Sequence, residues 1–376
     1  MKMPVLIVCG PLVGGGAEKV LIDMLSNFDY DRYEVDLALI HKYGVYLEKV
    51  PRQVNIIELW PEKSLHHFVA VKFSTKLHSN CVLASRMNSR RLRSDYVAEI
   101  AFLEGWATKL LSLRRSPGRK IAWLHTDRLH LHASLSCYHN PQEERKVYGG
   151  MDAVVCVSED SRKSLVSLVP ECVANATVIH NPVDKELVGA LALNEENPYG
   201  RRKEGHLTVV SVGRLSKEKN PWRWLQVAAL SKAEGLPLSF VWVGDGALME
   251  ELKAKAREMQ MDDIVKFAGF RKNPYPYIRH ADIMLLPSDA EGFSIVTCEA
   301  MCLGTPVVST ATAGQGDLLG NDECGLVTDF TPEALLDALR RLVSDPALRG
   351  RLASNALRRI EEFTPARMLS RLYRLI

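Results

Sequence analysis

Short apolar runs alternating with helical spacing recur from one end of this chain to the other, and that rhythm leaves few folds open. The runs are VLIVCG (5–10), YEVDLALI (33–40), NIIEL (55–59), YVAEIAFL (96–103), KIAWLH (120–125), DAVVCVS (152–158) and TVIHN (177–181). They resume as LTVVSVG (207–213), LSFVWVG (238–244), IVKFAG (264–269), DIMLLP (282–287), TPVVST (305–310) and GLVTD (325–329). Amphipathic stretches fall between them, such as Glu18 to Asn27 with Val20, Leu21, Met24 and Leu25 on one face. This pattern predicts an α/β protein with parallel sheets.

The rhythm breaks once. Asn194 to His206 (NEENPYGRRKEGH) is polar, carries Pro198, Gly200 and Gly205, and has no period, so it reads as a linker. A chain of 376 residues is also too long for one ordinary core. The expectation is therefore a first domain over 1–193, the linker 194–206, a second domain over 207–362, and an amphipathic helix within 363–376. Two such halves imply a cleft. In open parallel sheets ligands bind beyond the carboxyl ends of the strands, which directs attention to the residues just after each run.

Composition narrows the partners and the compartment. A net charge of +3 is too small for a nucleic-acid binder. It conceals a local bias, because residues 61–125 hold twelve Lys or Arg against four acids. That surface suits an anionic membrane face or an acidic acceptor, the other reading being an ordinary solvated surface. The eight cysteines are scattered without a C-x-x-C pair, and several lie in apolar runs, as small buried hydrophobes of a reducing compartment do. No run reaches the ~18 apolar residues of a spanning helix. Val5 to Val13 imitates a signal-peptide core, but only Lys2 precedes it and an amphipathic helix follows, so it reads as a first strand and the protein as cytoplasmic.

Three loops carry chemistry. After the first run, Gly14-Gly15-Gly16-Ala17-Glu18 opens a helix; successive glycines let backbone amides approach an anion, although a tight strand–helix turn needs the same residues. It lacks both the G-K-[ST] ending of a P-loop and the spacing of the dinucleotide fingerprint. After the run 207–213 come Arg214 and Lys219, a planar fork and a point charge able to clamp a diphosphate. After the run 282–287 comes Glu291-Gly-Phe293-Ser294, then Glu299 eight positions beyond Glu291 inside a helix over 295–303. Two carboxylates so placed can address two hydroxyl-rich parts of one ligand, with the Phe293 and Ser294 amides near phosphate. A paired-acid hydrolase is not excluded by spacing alone.

Taken together, GGGAE, VGRLSKEKNP, VGDG (243–246) and EGFSIVTCEA with its E-x7-E spacing resemble the retaining glycosyltransferases of the GT-B fold, family 4. FAGF (267–270), HADIMLLPS (280–288), GTPVVST (304–310) and CGLV (324–327) agree in order, as do VSEDSRKSL and HNPVD (180–184) less specifically. The resemblance covers nearly the whole chain. It implies two Rossmann-like domains facing each other across a central cleft, with a nucleoside diphosphate sugar as substrate and the last segment, 363–376, crossing back onto the first domain. Arg214 and Lys219 would bind the diphosphate and stabilise it as it leaves, and Glu299 would bond the ribose hydroxyls. Glu291 would contact the transferred sugar. The amides of Phe293 and Ser294, with Ile295 opening the helix behind them, would lie near the sugar and β-phosphate. Gly244, Asp245, Gly246 and Phe270 would border the base, and Gly15 and Gly16 would approach phosphate from the other domain. His125 stands where the family places a histidine near the donor sugar, the competing reading being a core or surface histidine. One segment departs from the family, Thr312-Ala313-Gly314-Gln315-Gly316-Asp317 standing where a Gly-Gly-Pro-x-Glu pattern is common.

No cofactor or metal is expected. The single D-x-D, Asp29-Tyr30-Asp31, falls in a turn at the amino end of the strand 33–40, and neither His66-His67 nor His130 with His132 has metal-site spacing. The resemblance favours UDP, a hexose or N-acetylhexosamine, and a glycan or lipid-linked acceptor in bacterial surface polysaccharide or lipopolysaccharide synthesis. Apolar Leu65, Phe68, Val69, Val71 and Phe73 interleaved with Lys72 and Lys76 fit a helix at the inner face of the plasma membrane, or simply a helix with a core face. The alternatives are a nucleotide-sugar epimerase of similar fold and a non-catalytic nucleotide-sugar-binding protein.

Overall fold

The computed structural model describes residues 2–60, 91–129, 136–200, 205–320 and 322–376. Each of the thirteen apolar runs forms a strand, with one end or both displaced by one to three residues. The first seven are β1 (Met3–Cys9), β2 (Tyr33–Leu39), β3 (Asn55–Glu58), β4 (Ala98–Ala101), β5 (Arg119–Leu124), β6 (Ala153–Cys156) and β7 (Ala176–Val178). They make one parallel sheet in the order β3-β2-β1-β4-β5-β6-β7. The remainder are β8 (Leu207–Val212), β9 (Leu238–Val243), β10 (Val265–Gly269), β11 (Ile283–Leu286), β12 (Val307–Thr310) and β13 (Leu326–Thr328). Their parallel sheet runs β10-β9-β8-β11-β12-β13. The central strands are buried along most of their length, because helices cover both faces of a parallel sheet.

The helices of the first sheet are α1 (Gly16–Ser26), α2 (Trp106–Ser112), α3 (Pro141–Gly149) and α4 (Glu159–Leu168). Those of the second are α5 (Lys185–Leu193), α6 (Pro221–Ala233), α7 (Met249–Glu258), α8 (Tyr275–Arg279), α9 (Ile295–Cys302), α10 (Gln315–Leu319), α11 (Pro332–Ser344) and α12 (Pro346–Arg359). Last comes α13 (Pro365–Leu372). Their starts are written in the sequence. Asn140, Asn220, Thr331 and Asp345 each accept a backbone N–H of the first turn and precede a proline that needs no partner there. The second core centres on Trp224, whose ring meets Trp242 edge-on at 5.5 Å and Phe240 at 6.0 Å.

The chain divides into two compact units, 1–182 with 365–376, and 183–364. The described residues of the polar stretch expected to separate the domains, 194–200 and 205–206, fall in the second unit. Asn273 donates to the Leu191 carbonyl at 2.9 Å and to Glu195 at 3.3 Å, and the Tyr199 hydroxyl donates to the Tyr277 carbonyl at 2.6 Å. Lack of an apolar face marks a stretch as surface, not as a crossing. The division itself falls within HNPVD, between Pro182 and Val183, where the Val183 N–H donates to the Phe363 carbonyl at 2.8 Å. In the first unit α13 buries Met368, Leu369 and Leu372, and Tyr373 stacks on Tyr33 at 5.2 Å.

Candidate active site

In each sheet the strand order reverses beside the first strand of its unit, between β1 and β4 and between β8 and β11. Such switch points open a crevice at the carboxyl ends of the strands. Gly15 and Gly16 follow β1, and Arg214, Lys219 and Glu291 follow β8 and β11 at these points; His125, Gly244–Gly246 and Phe270 follow the carboxyl ends of β5, β9 and β10. In the second unit, the loops after β8 and β11 bring Lys219 and Glu291 into contact, 72 positions apart in sequence. The Lys219 ammonium donates to Glu291 Oε1 at 2.5 Å, and the Ser288 hydroxyl donates to the same oxygen at 2.8 Å. The Glu291 side chain is 11% exposed and that of Lys219 27%. Ser288 is buried, and its carbonyl accepts the Thr310 hydroxyl at 2.6 Å, which ties this loop to the end of β12. Arg214 is exposed, at the start of the β8 loop.

The neighbouring glycines are there because two backbones approach closely. A Cβ on Gly244 would lie 1.9 Å from the Gly213 carbonyl oxygen, and one on Gly246 would lie 2.4 Å from that of Leu215. Gly244 also has φ 145. The Gly213 carbonyl accepts the Trp242 indole N–H at 2.9 Å, and the Asp245 carbonyl accepts the Leu215 N–H at 2.9 Å. The Gly244 N–H donates to the Gly269 carbonyl at 2.9 Å, which sets Phe270 beside VGDG with 72% of its surface exposed. Asp245 is exposed, its side chain accepting the Gly246 N–H at 2.7 Å.

Helix α9 begins at Ile295, with Ser294 as its cap accepting the Thr297 N–H at 3.3 Å. Phe293 is buried and its ring lies 5.5 Å from that of Phe363. Glu299, 5% exposed, accepts the Tyr275 hydroxyl at 3.1 Å. The departing segment 312–317 packs behind this loop. Gly314 has φ 79, and a Cβ there would sit 2.8 Å from the Gly292 carbonyl oxygen. Gln315 is fully buried and bonds the Thr297 hydroxyl at 3.3 Å.

In the first unit, Gly15 caps α1 without a side chain and Gly16 is the first helical residue. The Glu18 carboxylate folds back over this end, so close that a Cβ on Gly15 would lie 2.3 Å from it. His125 follows β5. Neither ring nitrogen makes a hydrogen bond of normal geometry, though the ring stacks on Trp123 and lies 4.7 Å from Phe102. Burial pushes the imidazole down to about 4, outweighing the pulls of Glu104 and the Phe102 carbonyl, so it is neutral at physiological pH. Glu104 accepts the backbone N–H groups of His125 and Thr126 at 2.8 and 2.7 Å and the Thr126 hydroxyl at 2.7 Å. Motif spacing did not single out Ser288, Tyr275, Glu104 or Trp242; the last three have partners on other elements, and Ser288 meets Glu291 within one loop.

Among the described residues no group of three or more His, Cys, Asp or Glu is set to hold a metal ion. Asp29 of the D-x-D accepts the backbone amides of Asp31 and Arg32, both at 3.2 Å, as an Asx-turn does. The seven described cysteines are free and buried, and burial pushes the Cys9 thiol far up. Residues 61–90, which carry the expected interfacial helix and the pair His66-His67, lie outside the described residues, as do His130 and His132. Of the cations counted in the basic stretch, Arg93 pairs with Glu34, Lys109 with Glu143 and Arg114 with the fully buried Glu99. Among the described residues no helix is long and apolar enough to cross a membrane.

Residues 194–359 match the family model of glycosyl transferases group 1. That stretch makes up most of the second unit and is of that family, family 4 of the glycosyltransferases. This glycosyltransferase is 28% identical over 360 residues to the N-acetylgalactosamine-N,N'-diacetylbacillosaminyl-diphospho-undecaprenol 4-alpha-N-acetylgalactosaminyltransferase of Campylobacter jejuni, covering 94% of this chain and 93% of the relative. It is 31% identical over 147 residues to the lipopolysaccharide core biosynthesis glycosyltransferase LpsE of Rhizobium meliloti, covering 39% of this chain and 42% of LpsE. Among solved structures it resembles Anabaena HepE in complex with UDP and glucose, with a TM-score of 0.78 and 18% identity over 99% of this chain and 98% of HepE. The fold is GT-B. The enzyme takes a nucleotide-sugar donor, as the family does.

Proposed function

We propose that this glycosyltransferase moves a hexose or N-acetylhexosamine, with retention and without a metal, from a UDP-sugar to a glycan or lipid-linked acceptor in bacterial surface polysaccharide or lipopolysaccharide synthesis. The observation that carries this reading is the Lys219–Glu291–Ser288 cluster at the β8/β11 switch point. It joins a cation suited to a leaving diphosphate with a carboxylate suited to sugar hydroxyls. The ammonium has three donors and Glu291 occupies one, so a phosphate oxygen can take another without displacing the carboxylate. Arg214 supplies the second charge, Glu299 meets the ribose, and the Gly244–Gly246 turn with Phe270 borders the base. The amides of Phe293 and Ser294, at the start of α9, meet the sugar and β-phosphate. Neutral His125 offers a hydrogen bond to the sugar in place of charge, and Gly15 and Gly16 approach phosphate.

The acceptor oxygen attacks on the face the nucleotide leaves, so the protein's task is to oppose charge gathering on the diphosphate. The Campylobacter relative, named for a diphospho-undecaprenol acceptor, supports a lipid-linked acceptor, and the UDP-bound Anabaena structure supports UDP. Membership of a transferase family favours transfer over the epimerase and idle-binder alternatives. Work at the inner face of the plasma membrane through residues 60–125 belongs to the same proposal. A thermal-shift screen against UDP, GDP, ADP, TDP and CDP with EDTA present tests it. A nucleotide at a hundredfold excess over its dissociation constant stabilises the fold by about 2.7 kcal/mol. The expected result is a shift with UDP that Arg214→Ala abolishes. A shift with GDP alone would overturn the donor, and a UDP shift untouched by Arg214→Ala would overturn the site.

A further inference from the structure

Lys219 has no rigid anchor of its own. It ends a short 3-10 turn, Lys217–Lys219, and its side chain reaches across to Glu291. Both of its chain neighbours, however, are gripped by one residue of the opposite loop. The Asp289 N–H donates to the Glu218 carbonyl at 2.8 Å, and Asp289 Oδ2 accepts the Asn220 Nδ2–H at 2.9 Å. Asp289 Oδ1 pairs with Arg223 Nη2 at 2.7 Å, and Arg223 Nη1 donates to the Pro287 carbonyl at 2.7 Å, closing the loop.

Asn220 itself is held on two sides. Its backbone is left-handed, at φ 45 and ψ 60, and its Oδ1 accepts the Arg223 N–H at 2.9 Å as the cap of α6. The same side chain thus fixes the helix with its oxygen and Asp289 with its nitrogen. Two residues beyond Asp289 stands Glu291.

From this we infer that Asp289 is a positioning residue of the transfer site. Its bonds to Glu218 and Asn220 hold the Lys219 ammonium in register with Glu291, where it meets the β-phosphate of the donor. Asp289 is 45% exposed on its side chain, and an ion pair so open to water adds little to stability. Its bonds therefore matter for where Lys219 stands more than for whether the unit folds. The inference rests on the reading of Lys219 as a diphosphate ligand.

The test compares UDP with UMP by titration calorimetry, so that the contribution of the β-phosphate is read separately from that of base, ribose and α-phosphate. The same pair with GDP and GMP replaces it if the wild-type protein prefers guanine. Lys219→Ala is the reference and is expected to erase most of the diphosphate preference. Asp289→Ala is expected to reduce that preference about tenfold, the ammonium being displaced and not removed, while UMP affinity and thermal midpoint stay near wild type. The reciprocal exchange Asn220→Asp with Asp289→Asn restores a cap and a bond with the donor reversed, and is expected to recover most of what Asp289→Asn alone loses.

If Lys219→Ala keeps the preference, or the wild-type protein has none, the reading of Lys219 fails and the inference with it. If Lys219→Ala loses the preference while Asp289→Ala keeps it, the inference alone fails. Equal weakening of UDP and UMP by Asp289→Ala, or no recovery in the exchanged pair, assigns Asp289 a merely structural role and overturns the inference as well.

Discussion

Replacing Lys219 by alanine isolates the charge on which the proposed chemistry depends most. In the protein as it stands, the ammonium is bonded to a carboxylate only 11% exposed and is itself 27% exposed, so both groups are poorly screened by water. A hydrogen bond involving a charged partner at such a site is worth ~1.5–3 kcal/mol. If the ammonium serves the leaving diphosphate as charge develops, that range becomes a fall of roughly 10- to 150-fold in turnover, at 1.36 kcal/mol per tenfold. Folding should survive, because the Glu291 carboxylate left without its counter-ion keeps the Ser288 hydroxyl and an 11% exposure to water. The assay is nucleotide release from the donor identified by the thermal screen, measured with and without acceptor extract. Far-ultraviolet dichroism and the thermal midpoint serve as controls for folding. Turnover within about twofold of wild type at saturating donor would refute the reasoning, since a transition-state contact of this kind cannot be removed so cheaply.

Other outcomes follow from the same geometry. His125 has an ordinary value of 6.5 and a folded value of about 4, so protons bind the unfolded chain more readily in that window. Stability should therefore be level above pH 6.5 and decline as pH falls towards 4; His125→Asn should flatten this acid limb, and an identical limb in both proteins would contradict the burial of the ring. Gly244→Ala should destabilise by more than ~3 kcal/mol in urea unfolding, because a Cβ meets the Gly213 carbonyl oxygen at 1.9 Å as well as an unfavourable φ. Gly235→Ala, with φ 65 but open space around it, should lose only about 1–2 kcal/mol, and equal losses would show that the close approach is not what fixes Gly244. Dialysis against EDTA should leave transfer intact; activity lost on dialysis and restored by Mg²⁺ or Mn²⁺ would overturn a metal-independent mechanism.

The strands were legible because each is a short, nearly continuous apolar run. Ends were less so, and β4 shrinks from the run 96–103 to Ala98–Ala101. Periodicity reports burial, and a residue such as Tyr96 is buried beyond the paired residues of its strand. Domain division was harder still. The stretch 194–206 has the composition of a linker, yet Glu195 and Tyr199 are bonded onto the region of α8, while the chain divides at Pro182, within a motif of ordinary polarity. Hydrogen bonds such as that of the Tyr199 hydroxyl to a carbonyl 78 residues away leave no periodic trace.

The site shows the same limit more sharply. Loop position after a strand pointed to Arg214, Lys219 and Glu291, and a parallel sheet guarantees that such loops share one edge. Which of them touch depends on the strand order β9-β8-β11-β12, and that order is a property of the fold rather than of any loop. Once β8 and β11 are neighbours, Lys219 and Glu291 fall within bonding distance. Once β8 and β9 are neighbours, the Gly213 carbonyl presses on Gly244, and VGDG turns from a suggestive motif into a steric requirement. The segment 312–317, which breaks the family pattern, fits the same logic. Gly314 is forced by the approach of the Gly292 carbonyl, and Gln315 is spent on Thr297, so this segment supports the Glu291–Ser294 loop from behind. Substitutions at Gly314 should therefore act on donor handling through the placement of Phe293, even though the family's usual residues are missing there.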